Sequence, residues 1–182
     1  MTQALYFIIK TLVQLYLLLL LLRFWLPWLR ADFRNPVAQG ILRFTSPLIV
    51  PLRRFLPPVG RIDTATLVVA FALQFAALLL LLALVGRRVD LLTVAWISII
   101  ELAILSLNLF FFAVLIRIIL SWIAPDNYNP ITALLTTLSE PVMRPFRRLI
   151  PTIGGLDISP VFALVMLQAS VILLQSVKPL PV

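Results

Sequence analysis

The amino-acid sequence predicts an all-α membrane protein with four transmembrane helices, arranged as two parallel tandem repeats with an interfacial amphipathic helical connection in each. Two observations support this fold class. Hydrophobic residues make up 62% of the chain and charged residues only 12%, with a mean hydropathy of +1.10. A soluble domain carries about 25% charged residues, so a chain this apolar requires lipid as its solvent. In addition, residues 23–82 recur without a gap at residues 117–176.

The repeat has a constant offset of 94 residues, as between Asn35 and Asn129. Matches at this offset concentrate on Pro, Arg, Asn, Asp and Trp, so a Leu-rich composition does not explain them. A repeat of this length indicates one structural unit used twice. We assign residues 1–88 to the first copy and residues 89–182 to the second. The matching residues of the first copy are Arg23, Leu26, Trp28, Asp32, Asn35, Pro36, Pro47, Pro51, Arg53, Arg54, Pro57, Gly60, Asp63, Gln74, Leu79 and Leu80.

Four apolar segments are long enough to cross a bilayer, which requires about 20 helical residues. They are Ala4–Leu29, Thr64–Val85, Leu92–Ile123 and Ile158–Val177. The first is too long for a signal peptide and lacks a basic start, so we expect a retained helix. Nine Lys and Arg residues in the two long connections, against three on the other side, predict cytoplasmic connections and external termini.

Each connection is predicted to begin as a helix that lies in the membrane interface. Asn35 and Asn129 are candidate N-caps, and Pro36 and Pro130 occupy the favoured first helical position. An apolar stripe at helical spacing then follows in both copies. Its members are Val37, Ile41, Phe44 and Leu48, then Ile131, Leu135, Leu138 and Val142.

The second part of each connection combines prolines with arginines. The prolines are Pro47, Pro51 and Pro57, then Pro141, Pro145 and Pro151. Prolines four residues apart are expected to break the helix. We predict that the arginines bind anionic lipid head groups or partner membrane proteins. These are Arg43, Arg53, Arg54, Arg144, Arg147 and Arg148. A simpler interpretation is an ordinary loop that follows the positive-inside rule. Gly60 and Gly154 are predicted to turn the chain, and Asp63 and Asp157 to cap the returning spans.

These motifs resemble those of the YggT family of small bacterial and plastid membrane proteins. The elements are the Asn-Pro pair, P-x3-P-x-R-R-x2-P, G-x2-D and, in the second copy, Asp157-Ile-Ser159-Pro160. The first copy departs from the pattern with Thr64-Ala65-Thr66. The resemblance implies a cytoplasmic-membrane protein with no established enzyme activity. Family members are associated with membrane organisation around division or nucleoid distribution, with cytochrome haem assembly in plastids, and with osmotic or ionic stress resistance.

Several polar residues fall inside the predicted spans: Gln14, Gln74, Glu101, Asn108 and Gln168. The amides are predicted to bridge helices. Glu101 shares a helical face with Ser98 and Asn108, which would suit a cation site; alternatively it lies near the outer interface or pairs with Lys10. Arg23 and Arg117 are predicted to extend to the lipid head groups.

The composition also limits the chemistry. Cys and His are absent, which excludes disulfides and zinc or copper sites of the usual kind. We expect no cofactor and no enzyme activity. The net charge of +8 favours anionic lipid over nucleic acid as a partner. The leading hypothesis is a membrane scaffold or assembly factor that self-associates and binds unidentified membrane proteins. The alternative is an oligomeric channel or transporter-like protein in ion homeostasis.

Overall fold

The computed structural model of the protein describes residues 2–60, 62–123, 129–150 and 157–179. Within these ranges the chain forms six helices and no strand, which confirms the all-α prediction. The helices are α1 (Thr2–Trp28), α2 (Pro36–Leu52), α3 (Thr64–Leu84), α4 (Leu91–Ile123), α5 (Pro130–Leu149) and α6 (Ser159–Ser176).

Four of these helices, α1, α3, α4 and α6, are long and apolar enough to cross a membrane. The last residue of every predicted span lies within one position of the last residue of the observed helix. At 1.5 Å per residue, the 33 residues of α4 extend for about 50 Å, well beyond a hydrocarbon core of about 30 Å. A helix of this length that crosses a bilayer has to tilt within it or extend beyond it.

The chain order places both connections at one end of the bundle. α1 packs on α3 and α4 packs on α6, and only the short turn at residues 85–90 joins α3 to α4. The end of α1 and the start of α3 therefore lie beside the end of α4 and the start of α6. We call this the connection end. α2 and α5 contact each other there, and the Asn35 amide donates a hydrogen bond of 2.6 Å to the Pro130 carbonyl.

One hydrophobic cluster joins five of the helices. Leu26 of α1, Ile41 of α2, Phe110 of α4, Leu138 of α5 and Leu167 of α6 are buried together in it. Close packing of these side chains is favoured by van der Waals contact, even where lipid and not water would otherwise surround them. The cluster therefore holds α2 and α5 against the long helices.

The caps of α2 and α5 form as predicted. The Asn35 side chain accepts a hydrogen bond of 2.8 Å from the Val37 amide. The Asn129 side chain accepts hydrogen bonds from the Ile131 and Thr132 amides, both at 2.9 Å. Each helix begins at the proline after its cap, because proline lacks only an N–H that would be unpaired there.

The prediction that the prolines break these helices is wrong. α2 continues through Pro47 and Pro51, and α5 continues through Pro141 and Pro145. All four prolines are exposed. Residues four apart share a helix face, so the carbonyl that each proline leaves unpaired also lies on the exposed side. Water or lipid head groups can bind that carbonyl there, which reduces the cost of the missing hydrogen bond.

The apolar stripe predicted for α2 does not form a single buried face. The residues that α2 buries are Ala38, Ile41, Thr45 and Ile49. Phe44 and Leu48 of the stripe are instead 72% and 47% exposed. α2 therefore buries one set of side chains against the bundle and presents large apolar side chains to the exterior.

The chain turns at Gly60 as predicted. Its φ angle of +60° lies in the left-handed region, which favours glycine. Val59 and Ile62 pair across this turn through two backbone hydrogen bonds. Gly154 and Pro151 lie outside the described residues.

Candidate functional site

Arg23 is buried at the connection end, inside a set of polar contacts with α2. Its Nη1 donates hydrogen bonds to Thr45 Oγ1 at 2.8 Å, to Ser46 Oγ at 3.1 Å and to the Leu42 carbonyl at 3.2 Å. The residue is only 3% exposed. The prediction that Arg23 extends to the lipid head groups is therefore wrong, because α2 covers it and supplies its acceptors.

Asp63 connects this contact to the start of α3. Its carboxylate accepts hydrogen bonds from Arg53 Nη2 at 2.6 Å and from Thr66 Oγ1 at 2.7 Å, and it caps α3 as predicted. Asp63 Oδ2 also lies 3.6 Å from Arg23 Nε, close enough for an ion pair but too far for a hydrogen bond. We call Arg23, Thr45, Ser46, Arg53 and Asp63 the first arginine cluster.

The cluster keeps Asp63 ionised. Burial alone would raise the pKa of this carboxyl, but the hydrogen bonds from Arg53 and Thr66 outweigh it, so the pKa lies below its ordinary value. A charged carboxylate therefore remains available to the two arginines at neutral pH.

A second arginine cluster lies at the end of α4. Arg117 Nη1 donates to Ser139 Oγ at 2.8 Å and to Glu140 Oε2 at 3.0 Å. Arg147 lies 3.3 Å from Glu140 Oε2 and 3.0 Å from Asp157 Oδ2. The Glu140 carboxylate thus links two guanidinium groups. This second arginine cluster consists of Arg117, Ser139, Glu140, Arg147 and Asp157.

The prediction that Asp157 is the N-cap of α6 is wrong by one residue, because Asp157 lies directly before the N-cap. The N-cap is Ile158, whose side chain makes no capping hydrogen bond, and the Asp157 carboxylate accepts instead from the Ser159 amide at 2.9 Å. Burial would raise the pKa of Asp157, but hydrogen bonds from Ser159 and Arg147 lower it below its ordinary value. The Asp157 side chain is 35% exposed, far more than the 6% of Asp63.

The two clusters use corresponding positions of the chain. At the offset of 94 residues, Arg23 corresponds to Arg117, Arg53 to Arg147, Asp63 to Asp157 and Thr45 to Ser139. Sequence reasoning identified the arginines and aspartates of the clusters but missed the roles of Thr45, Ser46, Ser139 and Glu140. One signal was available, because positions 45 and 139 both carry a hydroxyl group.

The six arginines predicted to bind lipid fall into two groups. Arg53 and Arg147 are held in ion pairs with Asp63 and Asp157. The others are exposed and form no ion pair within the ranges that the structure describes: Arg43, Arg54, Arg144 and Arg148. These four guanidinium groups can bind an external anion without breaking an internal contact.

The partner of Glu101 differs from the predicted one. Its carboxylate forms an ion pair with Lys178, which follows α6, and not with Lys10. Lys10 lies 5.9 Å from the centre of the Tyr6 ring. The Ser98 hydroxyl donates to the carbonyl one helical turn earlier, so it is already engaged. Across the described ranges, no group of three or more Asp or Glu residues could hold a metal ion.

The intramembrane amides do not gather at one site. Gln14, Gln74 and Glu101 line, with Lys10, a small cavity of about 30 Å³. Asn108 and Gln168 are not among its lining residues, and Gln168 is exposed. In the part of the chain that the structure describes, the amide side chains form no hydrogen bond that bridges two spans.

Four apolar helices of this length are consistent with a multi-pass membrane protein. The chain belongs to the CCB3/YggT family, whose model matches residues 2–84 and residues 96–177. The uncharacterized protein PA0392 of Pseudomonas aeruginosa is 47% identical over 170 residues, which cover 92% of this chain and 85% of that protein. The uncharacterized protein YggT of Escherichia coli is 37% identical over 162 residues, covering 88% and 84% of the two chains.

A plant protein is similar over a shorter segment. YlmG homolog protein 2, chloroplastic, of Arabidopsis thaliana is 38% identical over 66 residues, which cover 35% of this chain and 25% of that protein. No solved structure matches the chain at a significant level.

Proposed function

We propose that this protein is a non-enzymatic membrane scaffold or assembly factor. It engages anionic lipids and partner membrane proteins through its two arginine- and proline-rich connections. One observation carries the proposal. Four arginines on or directly after α2 and α5 are exposed and form no ion pair within the described ranges: Arg43, Arg54, Arg144 and Arg148.

The chemistry of these segments suits a lipid surface. Each Lys or Arg close to an anionic membrane contributes about 1 kcal/mol, and guanidinium groups match the geometry of phosphate oxygens. Phe44 and Phe55, in the same segments, are 72% and 82% exposed. Such side chains can enter the acyl boundary while the guanidinium groups stay at the level of the phosphates.

The proposal includes an orientation and a repeated architecture. The connection end faces the cytoplasm of a bacterial inner membrane, both termini face outward, and residues 1–88 and 89–182 are two copies of the same architecture. The excess of arginines in the connections supports this orientation. The two segments matched by the family model and the corresponding arginine clusters support the repeat. Reporter fusions after residue 58 and after residue 179 should report opposite sides of the membrane.

The surface role is tested by changing the four unpaired arginines to Gln together. Native mass spectrometry after gentle purification should detect fewer retained phosphatidylglycerol molecules than in the wild type. The matched control changes Arg87 and Arg88 to Gln, because these exposed arginines lie in the turn between α3 and α4, at the opposite end of the bundle. Equal lipid retention by the wild type and the fourfold variant would overturn the lipid-binding role.

We also propose that the protein self-associates. Gln14 and Gln168 are exposed on the apolar spans α1 and α6, where an amide gains about 0.6–2 kcal/mol from a hydrogen bond to another helix. Crosslinking in native membranes should therefore give a defined oligomer, and changing Gln168 to Leu should reduce its yield. A monomer at all crosslinker concentrations would contradict self-association.

One observation favours a second function, in ion homeostasis. The cavity lined by Gln14, Gln74 and Glu101 places three polar side chains within the spans. Its volume of about 30 Å³ is sufficient to hold a water molecule. Ion flux into liposomes that contain the purified protein, abolished by changing Gln74 to Leu, would support a permeation role. Silent liposomes together with crosslinked partner proteins would support the scaffold.

A further inference from the structure

The two arginine clusters differ at one position that decides their charge. Glu140 of the second cluster corresponds to Ser46 of the first. The Glu140 carboxylate lies between Arg117 and Arg147, at 3.0 Å and 3.3 Å. The second cluster therefore contains two guanidinium groups and two carboxylates. The first cluster contains two guanidinium groups and a single carboxylate.

A cleft occupies the corresponding place in the first cluster. It has a volume of about 360 Å³ and is lined by Arg23, Ser46, Arg53 and Asp63, together with the mainly apolar residues Pro27, Phe33, Leu42 and Val50. This volume falls within the range of about 300–1,000 Å³ that is typical of ligand pockets. The polar side of the cleft therefore contains the two guanidinium groups that share Asp63.

The buried arginine of this cleft has an unused donor. Arg23 Nε is buried and has no hydrogen-bond acceptor within the part of the chain that the structure describes. A buried polar group without a partner is costly, and a buried cation needs a counter-charge. Asp63 supplies one charge, but its closest hydrogen bond is to Arg53. An additional anion in the cleft would complete the charge balance of the first cluster.

We propose that this cleft binds a phosphate oxyanion. The phosphate takes the place between Arg23 and Arg53 that the Glu140 carboxylate holds between Arg117 and Arg147. Guanidinium groups bind phosphate and carboxylate oxygens with the same planar donor geometry, so one can replace the other. The phosphate comes from a phospholipid head group, whose acyl chains would meet Phe33 and Val50, or from the free ion. This site rests on the proposed lipid-binding function and gives it a defined binding position.

Exchanging the residues at the two corresponding positions tests the site. The variant Ser46→Glu supplies an internal carboxylate to the first cluster, and Glu140→Ser removes it from the second. The delipidated full-length protein is titrated separately with phosphatidylglycerol and with inorganic phosphate. Diacylglycerol, which lacks the phosphate, is the control lipid. Native mass spectrometry counts the bound lipid, and the unfolding temperature reports binding of the free ion.

The wild type should bind one phosphatidylglycerol tightly and no diacylglycerol. Ser46→Glu should weaken this binding about 10- to 100-fold, as expected for loss of charge-assisted hydrogen bonds. Glu140→Ser should gain a second bound phosphate. If inorganic phosphate raises the unfolding temperature of the wild type but not of Ser46→Glu, the free ion is the source.

Unchanged binding of phosphatidylglycerol and phosphate by folded Ser46→Glu would overturn the proposal. If this variant does not fold, Glu140→Ser decides: an additional bound phosphate supports the site, and an unchanged number overturns it. The fourfold Arg→Gln variant leaves the cleft intact. It should therefore keep this one phosphate even when its other lipids are lost, so failure of the cleft and failure of the surface are distinguishable.

Discussion

Changing Asp63 to Asn removes the only carboxylate of the first arginine cluster while keeping a side chain that can cap α3. The substitution leaves Arg23, whose side chain is 3% exposed, beside a neutral amide. Breaking a buried ion pair in this way costs about 3–5 kcal/mol, because the remaining charge stays out of water. Arg53 adds little to this cost, since its side chain is 43% exposed and solvent can replace Asp63.

The corresponding substitution Asp157→Asn is the matched control. Asp157 and Arg147 have side chains that are 35% and 38% exposed, so this ion pair should contribute about 1 kcal/mol or less. The free energy of unfolding can be measured by denaturant titration in mixed micelles with tryptophan fluorescence. Asp63→Asn should lower this free energy at least about three times as much as Asp157→Asn. Equal losses in the two variants would refute the argument that burial sets the strength of these pairs.

Three further predictions concern the pKa of Asp63, the Asn35 cap of α2 and the ion pair between Glu101 and Lys178. Because the folded-state pKa of Asp63 is lowered, the stabilisation that its carboxylate provides should be constant above its ordinary pKa of about 3.9. This stabilisation should disappear as the pH falls through the lower folded value. The difference in unfolding free energy between wild type and Asp63→Asn, measured from pH 7 to pH 3, should therefore shrink only below about pH 4. Asn35→Ala should cost about 0.5–2 kcal/mol more of the same free energy than Asn35→Ser, because both variants lose the hydrogen bond to the Pro130 carbonyl but only Ser keeps a cap oxygen; equal losses would contradict the capping role. Lys178→Gln should cost about 1–3 kcal/mol because it leaves the carboxylate of Glu101 without its cation, and a loss below about 0.5 kcal/mol would show that the pair is solvated.

Local patterns predicted the elements of the fold well. The spans depend on composition over about 20 residues, and the caps at Asn35 and Asn129 depend on residues within the same helical turn. The turn at Gly60 likewise depends on its own φ angle. All of these are properties of neighbouring residues, which a single sequence displays directly.

The continuity of α2 could not be predicted from local patterns. Proline at positions 47 and 51 predicts a break, but the cost of the lost hydrogen bonds depends on which side of α2 faces the exterior. That side is decided by the packing of α2 on α1 and α3, which involves residues far away in the sequence.

The arginine clusters were only partly predictable. The recurrence of Arg23, Arg53 and Asp63 at the same offset in the second copy was visible, but no pattern indicated that they contact one another. The pairing of Glu101 with Lys178 joins residues 77 positions apart and has no counterpart in the other copy. Contacts of this kind depend on the final arrangement of the helices.

The position of Arg23 also has a consequence for biosynthesis. Its acceptors on α2 and its counter-charge at Asp63 are all made after α1. The newly made first helix therefore enters the bilayer with an unmatched cation, and we expect it to sit shallowly until the third helix arrives. Glycosylation mapping of stalled nascent chains should find residue 23 closer to the membrane surface before residue 63 is translated than afterwards. An unchanged depth would show that α1 reaches its final position by itself.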